Sequence, residues 1–518
     1  MIQRILTVGG FTLLSRITGF IRDIVLAAVL GAGPVADAFF VALRLPNHFR
    51  AIFAEGAFNA AFVPAYASIR EQGGPERAAL FADRVFTLLL ASQLVLLAVA
   101  LVFMPAVVGL LAPGFNEDPT RFDLAVELTR ITFPYLLLVT LVTLYGGILN
   151  SLQRFASAAA APILLNLSMI TALAFVASFP DAGHAAAWGV LIAGVLEVAL
   201  LAADVTRAGV LPVLRRPKLD IDVRRFFRAL GPATVGSAGV QLALFADTVI
   251  ASFLATGALS ALYYADRINQ LPIGVIGIAI GTVILPEMAR RIAAGDEAGA
   301  AQAQNRAVEF ALLLALPCVV AFLLIPELIM RALFARGAFT AADAVASGQT
   351  LAAYALGLIP FVVIRSAVAT FFARGDTVTP VKASLTAAAV NILFKVVLMG
   401  PLAQVGLALA TSIGAWVNLL LVTGLAMRQG LMTVDARLKQ SLWKLAAASA
   451  ALAALLVVAA GPVAAWSAAW PGLRDEVTLA VLAGLGAVVY GGAVLALFGR
   501  AWLRAFRGAA PPSAGTPE

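Results

Sequence analysis

Charged residues are scarce in this sequence, and their scarcity decides its class. Of its 518 residues only 12% are charged and 62% are hydrophobic, and the mean hydropathy is +0.96. Soluble proteins carry about 25% charged residues, so this chain has too few to cover a surface that faces water. We therefore expect an integral membrane protein that crosses the bilayer many times.

Cysteine and histidine are scarcer still. The single cysteine, Cys318, excludes a disulfide within the chain, and His48 and His184 show no metal-ligand spacing. The sequence also lacks a Walker lysine motif, a GxSxG motif, a zinc signature and a histidine-based catalytic set. We expect no cofactor, no metal and no enzymatic reaction, and ATP-driven transport by this chain alone is disfavoured.

Long apolar segments recur along the chain. A helix needs about 20 apolar residues to cross a bilayer, and the sequence predicts an all-α polytopic membrane protein with about fourteen such spans. Their approximate bounds are 5–30, 35–68, 82–112, 125–150, 157–179, 185–206, 228–256, 262–290, 304–330, 348–373, 380–400, 404–427, 441–461 and 476–499. The second is too long for one straight span at about 1.5 Å per residue, so we expect Pro46, Gly56 and Pro64 to bend or break it. The N-terminal segment looks superficially like a signal peptide, but Arg16 and Arg22 lie within or just beyond its apolar part, and we expect a retained helix.

Lysine and arginine are concentrated in one set of loops. The basic segments are 70–84, 207–228, 428–444 and the C-terminal tail. The opposite loops are poor in basic residues, with the exceptions Arg121, Arg331, Arg336 and Arg474. Because basic loops stay on the cytoplasmic side, we expect both termini in the cytoplasm. The same rule explains the excess of 36 basic over 28 acidic residues, so we expect no nucleic-acid partner.

The longest basic loop divides the chain into two sets of six spans. Segment 23–46, "DIVLAAVLGAGPVADAFFVALRLP", resembles 247–272, "DTVIASFLATGALSALYYADRINQLP", on either side of that loop. Two units that both enter from the cytoplasm would form parallel, pseudo-symmetric repeats. The predicted domains are an N-lobe at 1–206, the basic loop at 207–228, a C-lobe at 229–427, two extra spans within 428–500 and a disordered cytoplasmic tail at 501–518.

Several charged residues fall at membrane depth, where each costs roughly 2.5–3.5 kcal/mol and usually faces a cavity or a partner. They are Arg16, Arg22, Asp23, Asp37, Arg44, Arg50, Glu55, Glu197 and Asp204 in the first unit, and Asp247, Asp266, Arg267, Glu287, Arg365 and Lys395 in the second. Those near span ends, such as Arg44, Asp204 and Glu287, are equally well explained by snorkelling to the interface. Arginine-rich sites within a membrane suit an anionic substrate, because guanidinium groups hold phosphates with fork geometry.

The segment "GVIGIAIG" (274–281) places Gly277 and Gly281 four residues apart. Small residues at this spacing let membrane helices approach each other closely. We predict close helix packing here.

Four segments resemble a known family. They are "SRITGFIRD" (15–23), "GAGPVADAFFVALRLPNHFRAIFAEGAFNAAFVP" (31–64), "YYADRINQLPIGVIGIAIGTVILP" (263–286) and "LFARGAF" (333–339). They are similar to the MurJ (MviN) lipid II flippases of bacteria, which belong to the multidrug/oligosaccharidyl-lipid/polysaccharide exporter superfamily. The resemblance implies two six-helix lobes around a cationic cavity, alternating access, and a groove near spans 13 and 14, within 428–500, for the lipid tail.

The resemblance also implies a substrate and its site. The substrate would be lipid II, the undecaprenyl-pyrophosphate-linked disaccharide pentapeptide, moved from the cytoplasmic to the periplasmic leaflet of the inner membrane. The positions that match the family's cavity are Ser15, Arg16, Arg22, Asp23, Asp37, Asn47, Arg50, Ser260, Asp266 and Arg267. Gln270 departs from the family pattern, since relatives can carry an acid there. Membrane lipids and cell-wall synthesis proteins are further candidate partners.

Ion coupling is a second departure from the family. Some relatives are thought to bind sodium between spans 7 and 11. Here the matching region supplies Asp247, Asn391 and Thr411, but also Lys395. An ammonium group there would occupy the cation's position, which puts sodium coupling in doubt and leaves coupling to the membrane potential open. We predict that Asp247 and Lys395 form an ion pair.

Two alternatives remain at this point. A related exporter would carry another lipid-linked oligosaccharide or drugs, although a drug exporter should have an acidic rather than an arginine-rich cavity. A membrane transferase or polymerase acting on lipid-linked sugars would need clustered catalytic acids, and "NEDPTRFD" (116–123) is the one acidic loop of note.

Overall fold

The computed structural model describes residues 2–50 and 58–507, and the side chains of these residues except 2–7, 48–50, 233, 235–244, 278 and 500–507. Helix is the only regular secondary structure in these ranges, which confirms the all-α prediction. The helices of the first half are α1 (Ile2–Leu30), α2 (Pro34–Arg50), α3 (Phe58–Val102), α4 (Met104–Leu111), α5 (Pro119–Thr132), α6 (Tyr135–Ser151), α7 (Ala156–Ala174), α8 (Ala182–Arg207) and α9 (Ile221–Ser252). Those of the second half are α10 (Ala258–Ala293), α11 (Glu297–Leu324), α12 (Pro326–Phe334), α13 (Ala341–Phe372), α14 (Val378–Arg428), α15 (Ala436–Trp466) and α16 (Arg474–Arg507).

Aspartate residues start many of these helices. The first backbone N–H groups of a helix lack partners within it, and an aspartate at the N-cap accepts a hydrogen bond from one of them. In the described part of the chain five helices begin in this way, with the N–H three residues further on as donor. The caps are Asp118 of α5, Asp181 of α8, Asp220 of α9, Asp296 of α11 and Asp435 of α15.

α14 is a pair of helices joined by a sharp break. Its 51 residues would extend about 75 Å at about 1.5 Å per residue, far more than a bilayer of about 30 Å. Pro401 precedes Ala403, whose φ of 46° and ψ of −129° are not helical. A Cβ atom on Gly406 would lie 2.3 Å from the carbonyl oxygen of Leu398, so the two halves pack against each other. The break falls between the predicted spans 380–400 and 404–427.

The predicted second span, 35–68, is interrupted. α2 ends at Arg50, and residues 51–57, with Gly56, lie outside the described residues. The chain from Phe58 onward belongs to α3, which also includes the predicted loop 70–84. A turn at Gly74, with φ of 79° and ψ of 173°, separates the two arms of α3, because glycine accepts this conformation and Pro75 can begin the next helical arm.

Ten helices in the described residues are long and apolar enough to cross a membrane. They count α14 as a single helix and α5 with α6 as one span, and they leave out α1, α2, α4, α9 and α12. The chain is therefore a polytopic membrane protein, while the count of fourteen spans stays a prediction.

The chain forms two compact units. Unit 1 comprises Met1–Tyr263 and Phe334–Asp343, and unit 2 comprises Tyr264–Leu333 and Ala344–Glu518. The sequence instead predicts lobes that would place α9 in the C-lobe. This division into an N-lobe and a C-lobe stays a prediction. The start of α10 belongs with unit 1 because its backbone binds Asp37 of α2.

An aromatic core joins three helices of unit 1. Phe58, Phe62 and Phe81 of α3 pack with Phe226 of α9 at ring-centroid distances of 5.6–5.9 Å. Tyr145 of α6 belongs to the same buried cluster. Burial of aromatic surface of this size dominates core energetics, so this cluster stabilises the packing of α3, α6 and α9.

The predicted basic loop 207–228 is attached to α3. The carboxylate of Asp83 accepts hydrogen bonds from the backbone N–H of Val213 at 2.8 Å and from Nε of Arg215 at 2.7 Å. Arg77 of α3 pairs with Asp222 at 2.9 Å, and Arg84 pairs with Asp220. The second half of the predicted loop is the start of α9, from Ile221 onward.

Unit 2 contains a buried acidic side chain near the start of α15. Glu309 of α11 is fully buried, and its carboxylate accepts a hydrogen bond from Oγ of Ser441 at 2.5 Å. Arg306 pairs with both Glu309 and Asp435. These contacts attach α11 to α15.

α16 continues through residues 501–507, past a break at Gly499 with φ of 73°, where the sequence predicts a disordered tail. The stretch "AWLRAFR" lacks glycine and proline, so helix is compatible with its residues. Residues 508–518 of that tail lie outside the described residues.

Candidate functional site

Arg22 of α1 is held by two neighbours. Its Nε and Nη2 donate to Oδ1 of Asp23 at 3.1 and 2.7 Å, and its Nη1 donates to Oδ1 of Asn166 of α7 at 3.0 Å. The side chain of Arg22 is 12% exposed. A guanidinium group donates its N–H groups in a rigid planar fork, so these bonds fix its orientation.

Asn166 also fixes the position of α1. Its Nδ2 donates to the carbonyl oxygen of Ser15 at 3.0 Å and to Oγ1 of Thr18 at 3.1 Å. A Cβ atom on Gly19 would lie 3.4 Å from this amide nitrogen, an ordinary van der Waals distance, so Gly19 lies directly beside Asn166. α1 and α7 are thus joined by hydrogen bonds close to Arg22.

Tyr263 completes the surroundings of Asp23. Its hydroxyl donates to Oδ1 of Asp23 at 3.1 Å, and its ring stacks on Phe40 with centroids 3.9 Å apart. Asp23 is buried, with 4% of its surface exposed. The negative charge of Asp23 offsets the positive charge of Arg22, which lowers the free-energy cost of placing the guanidinium in the membrane.

The carboxylate of Asp37 accepts hydrogen bonds from backbone groups at the start of α10. Its carboxylate is fully buried and accepts from the N–H of Gly257 at 2.8 Å, the N–H of Ser260 at 2.9 Å and Oγ of Ser260 at 2.5 Å. These are N–H groups that a helix cannot satisfy itself, and a carboxylate there also interacts favourably with the helix dipole. Asp37 and Ser260, both predicted cavity residues, therefore bind each other and α10.

Arg121 of α5 is the charge partner of Asp37. Its Nη2 lies 3.2 Å from Oδ2 of Asp37, and its guanidinium lies 3.7 Å from the ring centroid of Phe115. Arg121 is an exception to the loop-charge pattern of the sequence. Its burial beside a carboxylate explains why an arginine is present on that side.

Three turns with glycine at positive φ meet beside this network in unit 1. They are centred on Gly31 with φ of 67°, Gly257 with φ of 89° and Gly337 with φ of 58°. A Cβ atom on Gly31 would lie 2.5 Å from the carbonyl oxygen of Ala338, and one on Gly337 would lie 2.2 Å from that of Ala28. The resembling segments 31–64 and 333–339 therefore lie next to each other, and glycine in both turns leaves the space for this close approach.

The remaining predicted site residues of unit 1 differ in exposure. Arg16 is exposed and Asn47 is partly exposed. The side chain of Arg50 and the whole of Glu55 lie outside the described residues. Asp247 lies on α9, in unit 1, and is partly exposed.

Unit 2 carries Asp266 and Arg267 on consecutive positions of α10, both partly exposed. Gln270 donates through Nε2 to Oδ2 of Asp266 at 2.5 Å. The residue at which this chain departs from the family pattern therefore binds one of the predicted site residues.

The two halves of α14 bring the other predicted residues of unit 2 together. A Cβ atom on Gly414 would lie 2.8 Å from Cβ of Asn391, and with the contact between Gly406 and Leu398 this sets Lys395 level with about Leu409 and Ala410, which precede Thr411. Lys395 is 2% exposed, and Oδ1 of Asn391 is a buried acceptor with no hydrogen-bond donor among the described residues. The ammonium group of Lys395, one helical turn after Asn391, would repel a sodium ion bound there, and the doubt about sodium coupling stays a prediction.

Charged residues near span ends have nearby partners. Asp204 pairs with Arg154 at 2.5 Å, and Glu287 pairs with Arg290 and Arg291 of its own helix. Arg44 donates to Oγ1 of Thr248 at 3.1 Å. Each of these charged residues therefore has a polar partner, and the snorkelling interpretation stays a prediction.

The predicted helix packing at "GVIGIAIG" is wrong at both glycines. A Cβ atom on Gly281 would meet nothing within 4 Å, and one on Gly277 would lie 2.5 Å from Nε of Arg365. The space at Gly277 receives an arginine side chain instead of another helix backbone.

Sequence reasoning missed Asn166, Arg121 and Tyr263 as parts of the site. Asn166 is a lone amide in the apolar segment "APILLNLSMI", and a polar group at membrane depth is itself a signal. Tyr263 lies inside a quoted segment, but nothing in its position along the chain indicates contact with Asp23, which lies 240 residues away.

Comparison with known proteins gives a consistent result. The family model described as "Lipid II flippase MurJ" matches residues 26–472. A protein of Rhizobium meliloti (strain 1021) named "Probable lipid II flippase MurJ" is 44% identical over 464 residues, covering 89% of this chain and 86% of its own length. A protein of the same name from Rhizobium tropici is 41% identical over 475 residues, covering 91% and 88%. A solved structure described as "Lipid II flippase MurJ, inward closed conformation" aligns with a TM-score of 0.80 over 95% of this chain and 98% of its own, at 23% identity.

Proposed function

Because this chain belongs to the lipid II flippase MurJ family, we propose that it moves lipid II from the cytoplasmic to the periplasmic leaflet of the bacterial inner membrane. The observation that supports this best is Arg22, a guanidinium group held in a membrane helix by Asp23 and Asn166. It is a transporter and catalyses no covalent step. Its termini would lie in the cytoplasm.

The chemistry of transport follows from the charges. Lipid II carries a pyrophosphate, and guanidinium groups bind phosphate oxygens through two parallel N–H donors. Arg22 is held in a fixed orientation, so it loses little conformational entropy when it binds. Arg16 is exposed on the same helix, and Arg267 lies in unit 2. Each supplies further positive charge that would attract the anionic head group during transport by alternating access.

The lipid tail would need an apolar surface. In unit 2 a cavity of about 480 Å³ lies between α11, α15 and α16, lined by Leu313, Phe322, Leu456, Leu482 and Tyr490 among others. α15 and α16 are the helices for which the resemblance implies a groove. We assign the polyprenyl chain to this cavity.

Transport is proposed to be independent of sodium. Lys395 provides a resident cation in the α14 pair, so the membrane potential is the remaining candidate for the driving force. Export of cationic drugs is disfavoured, since Arg16, Arg22 and Arg267 would repel them. Cell-wall synthesis proteins remain candidate partners.

The test is depletion of the chain in its bacterium, followed by measurement of lipid II in each leaflet. Lipid II should accumulate in the cytoplasmic leaflet, and the wild-type chain should restore its export. Arg22→Ala should reach normal membrane levels and fail to restore export. Normal lipid II export after depletion contradicts the proposal.

A further inference from the structure

Arg365 is an intramembrane cation that none of the contacts above uses. It lies on α13, seven residues before the helix ends at Phe372, which is about 10 Å from that end. Within the described residues no carboxylate lies at ion-pair distance from it. An isolated guanidinium at this depth is costly and marks a functional site.

The side chain of Arg365 does not extend along its own helix toward the interface. It crosses to α10, where its Nε would lie 2.5 Å from a Cβ atom on Gly277. Glycine at this position therefore provides the space in which the guanidinium lies. Arg365 is exposed, but its side chain lies against α10 as well as its own helix, so the arrangement is formed by two helices of unit 2.

An apolar cavity adjoins this guanidinium. It has a volume of about 380 Å³ and is lined by Gly281 and Ile284 of α10 and by Phe361, Arg365 and Phe372 of α13, with other apolar residues. Arg365 is the charged residue of its lining. A cavity with one cation and apolar walls fits a molecule with an anionic head and a hydrocarbon chain.

We propose that Arg365 and this cavity form a second binding position for the pyrophosphate head and first isoprenoid units of the lipid-linked substrate. This deepens the proposed function and rests on it. Gly277 is ten residues after Arg267 on α10, so the two cations lie about 15 Å apart along that helix. That spacing allows the head group to pass from one guanidinium to the other within unit 2.

The experiment uses the full chain with a photo-crosslinking amino acid at Phe361, reconstituted with radiolabelled undecaprenyl pyrophosphate. The wild-type chain should crosslink the lipid, and Arg365→Gln should reduce the yield about tenfold, as expected for loss of a charge-assisted hydrogen bond. Gly277→Ala, which displaces the guanidinium without removing its charge, should also reduce it. Arg290→Gln is the matched control, since Arg290 is 75% exposed on the same α10.

Two results would overturn the site. One is an unchanged yield in both Arg365→Gln and Gly277→Ala. The other is displacement of the label by excess phosphatidylglycerol to the same extent as by excess unlabelled undecaprenyl pyrophosphate. That result would identify an ordinary phospholipid as the occupant. Lipid II movement by the wild-type chain is measured in the same vesicles, so a failure of the proposed function is seen separately from a failure of this site.

Discussion

At the residue scale, Arg22 illustrates why charge alone does not define a site. Three of its nitrogens donate to Asp23 and Asn166, and a lysine cannot reproduce this planar fork. We expect Arg22→Lys to reduce the initial rate of lipid II movement in reconstituted vesicles at least about tenfold. Arg130→Lys, an exposed position on α5, should stay within about twofold of wild type, and a similar rate for Arg22→Lys would reject the fork.

Asp37 poses the opposite case, since its carboxylate is bound on all sides. Asp37→Asn leaves Arg121 buried without its counter-charge, which costs about 3–5 kcal/mol in soluble proteins. Thermal unfolding in detergent should show this loss, and the double variant Asp37→Asn/Arg121→Gln should be milder than the sum of the two. Asp123→Asn, exposed on α5, is the control. Additive effects would show that the two side chains are not coupled.

The pair Asp247 and Lys395 stays a prediction, and a double-mutant cycle can measure it. Each residue is costly alone at membrane depth, so Asp247→Ala and Lys395→Ala should each damage folding or transport. Asp247→Asn/Lys395→Gln should be less damaging than the two single changes together. Strict dependence of wild-type transport on sodium would contradict the pair, because the lysine could not then be the resident cation.

At the element scale, the segment before α9 is held by α3. Asp83 accepts from Val213 and Arg215, so Asp83→Ala should raise the rate of tryptic cleavage after Arg215 about tenfold, through easier local opening. Glu71→Ala, exposed on the same helix, should leave the rate unchanged. Equal cleavage of both variants would mean that other contacts hold the segment.

How far the sequence predicted these elements depends on the range of the interaction. The apolar runs predicted all-helical structure, and the separate predicted spans 380–400 and 404–427 lie on either side of the break in α14. The helical structure on both sides of Gly74 was missed because the arginines of 70–84 suggested a loop, whereas the partners of Arg77 and Arg84 lie far along the chain. Local patterns report local geometry, and long-range pairing overrides them.

The candidate site divides in the same way. Arg22 and Asp23 were predicted because they are neighbours in an apolar segment and belong to a resembling motif. Asn166 lies 144 residues from Arg22, and its contact depends on how α1 packs against α7. The local environment of Gly277 was likewise misassigned, since its neighbour Arg365 is on another helix.

At the scale of the whole molecule, the orientation in the membrane is the main prediction still to be tested. Ser260 and Gly183 lie near predicted loops on the side opposite the basic loops, but both are buried. Cysteines at these positions would therefore report accessibility poorly. Better reporters are the exposed positions Ser178 and Thr256 on one predicted side and Lys218 and Gln440 on the other. Cys318 is replaced by serine first, so that a single thiol is present in each variant.

In intact spheroplasts a membrane-impermeant maleimide should label Ser178→Cys and Thr256→Cys, and should label Lys218→Cys and Gln440→Cys only after the membrane is opened. The reason is the positive-inside rule: the neighbours of Lys218 include Arg215, Arg216 and Arg224, whereas the loop around Thr256 has no basic residue. Arg121 and Arg331 do not weaken this expectation, since each lies beside a carboxylate, Asp37 or Glu327, that offsets its charge. Labelling of Lys218→Cys from outside would invert the topology, and with it the direction in which lipid II is proposed to move.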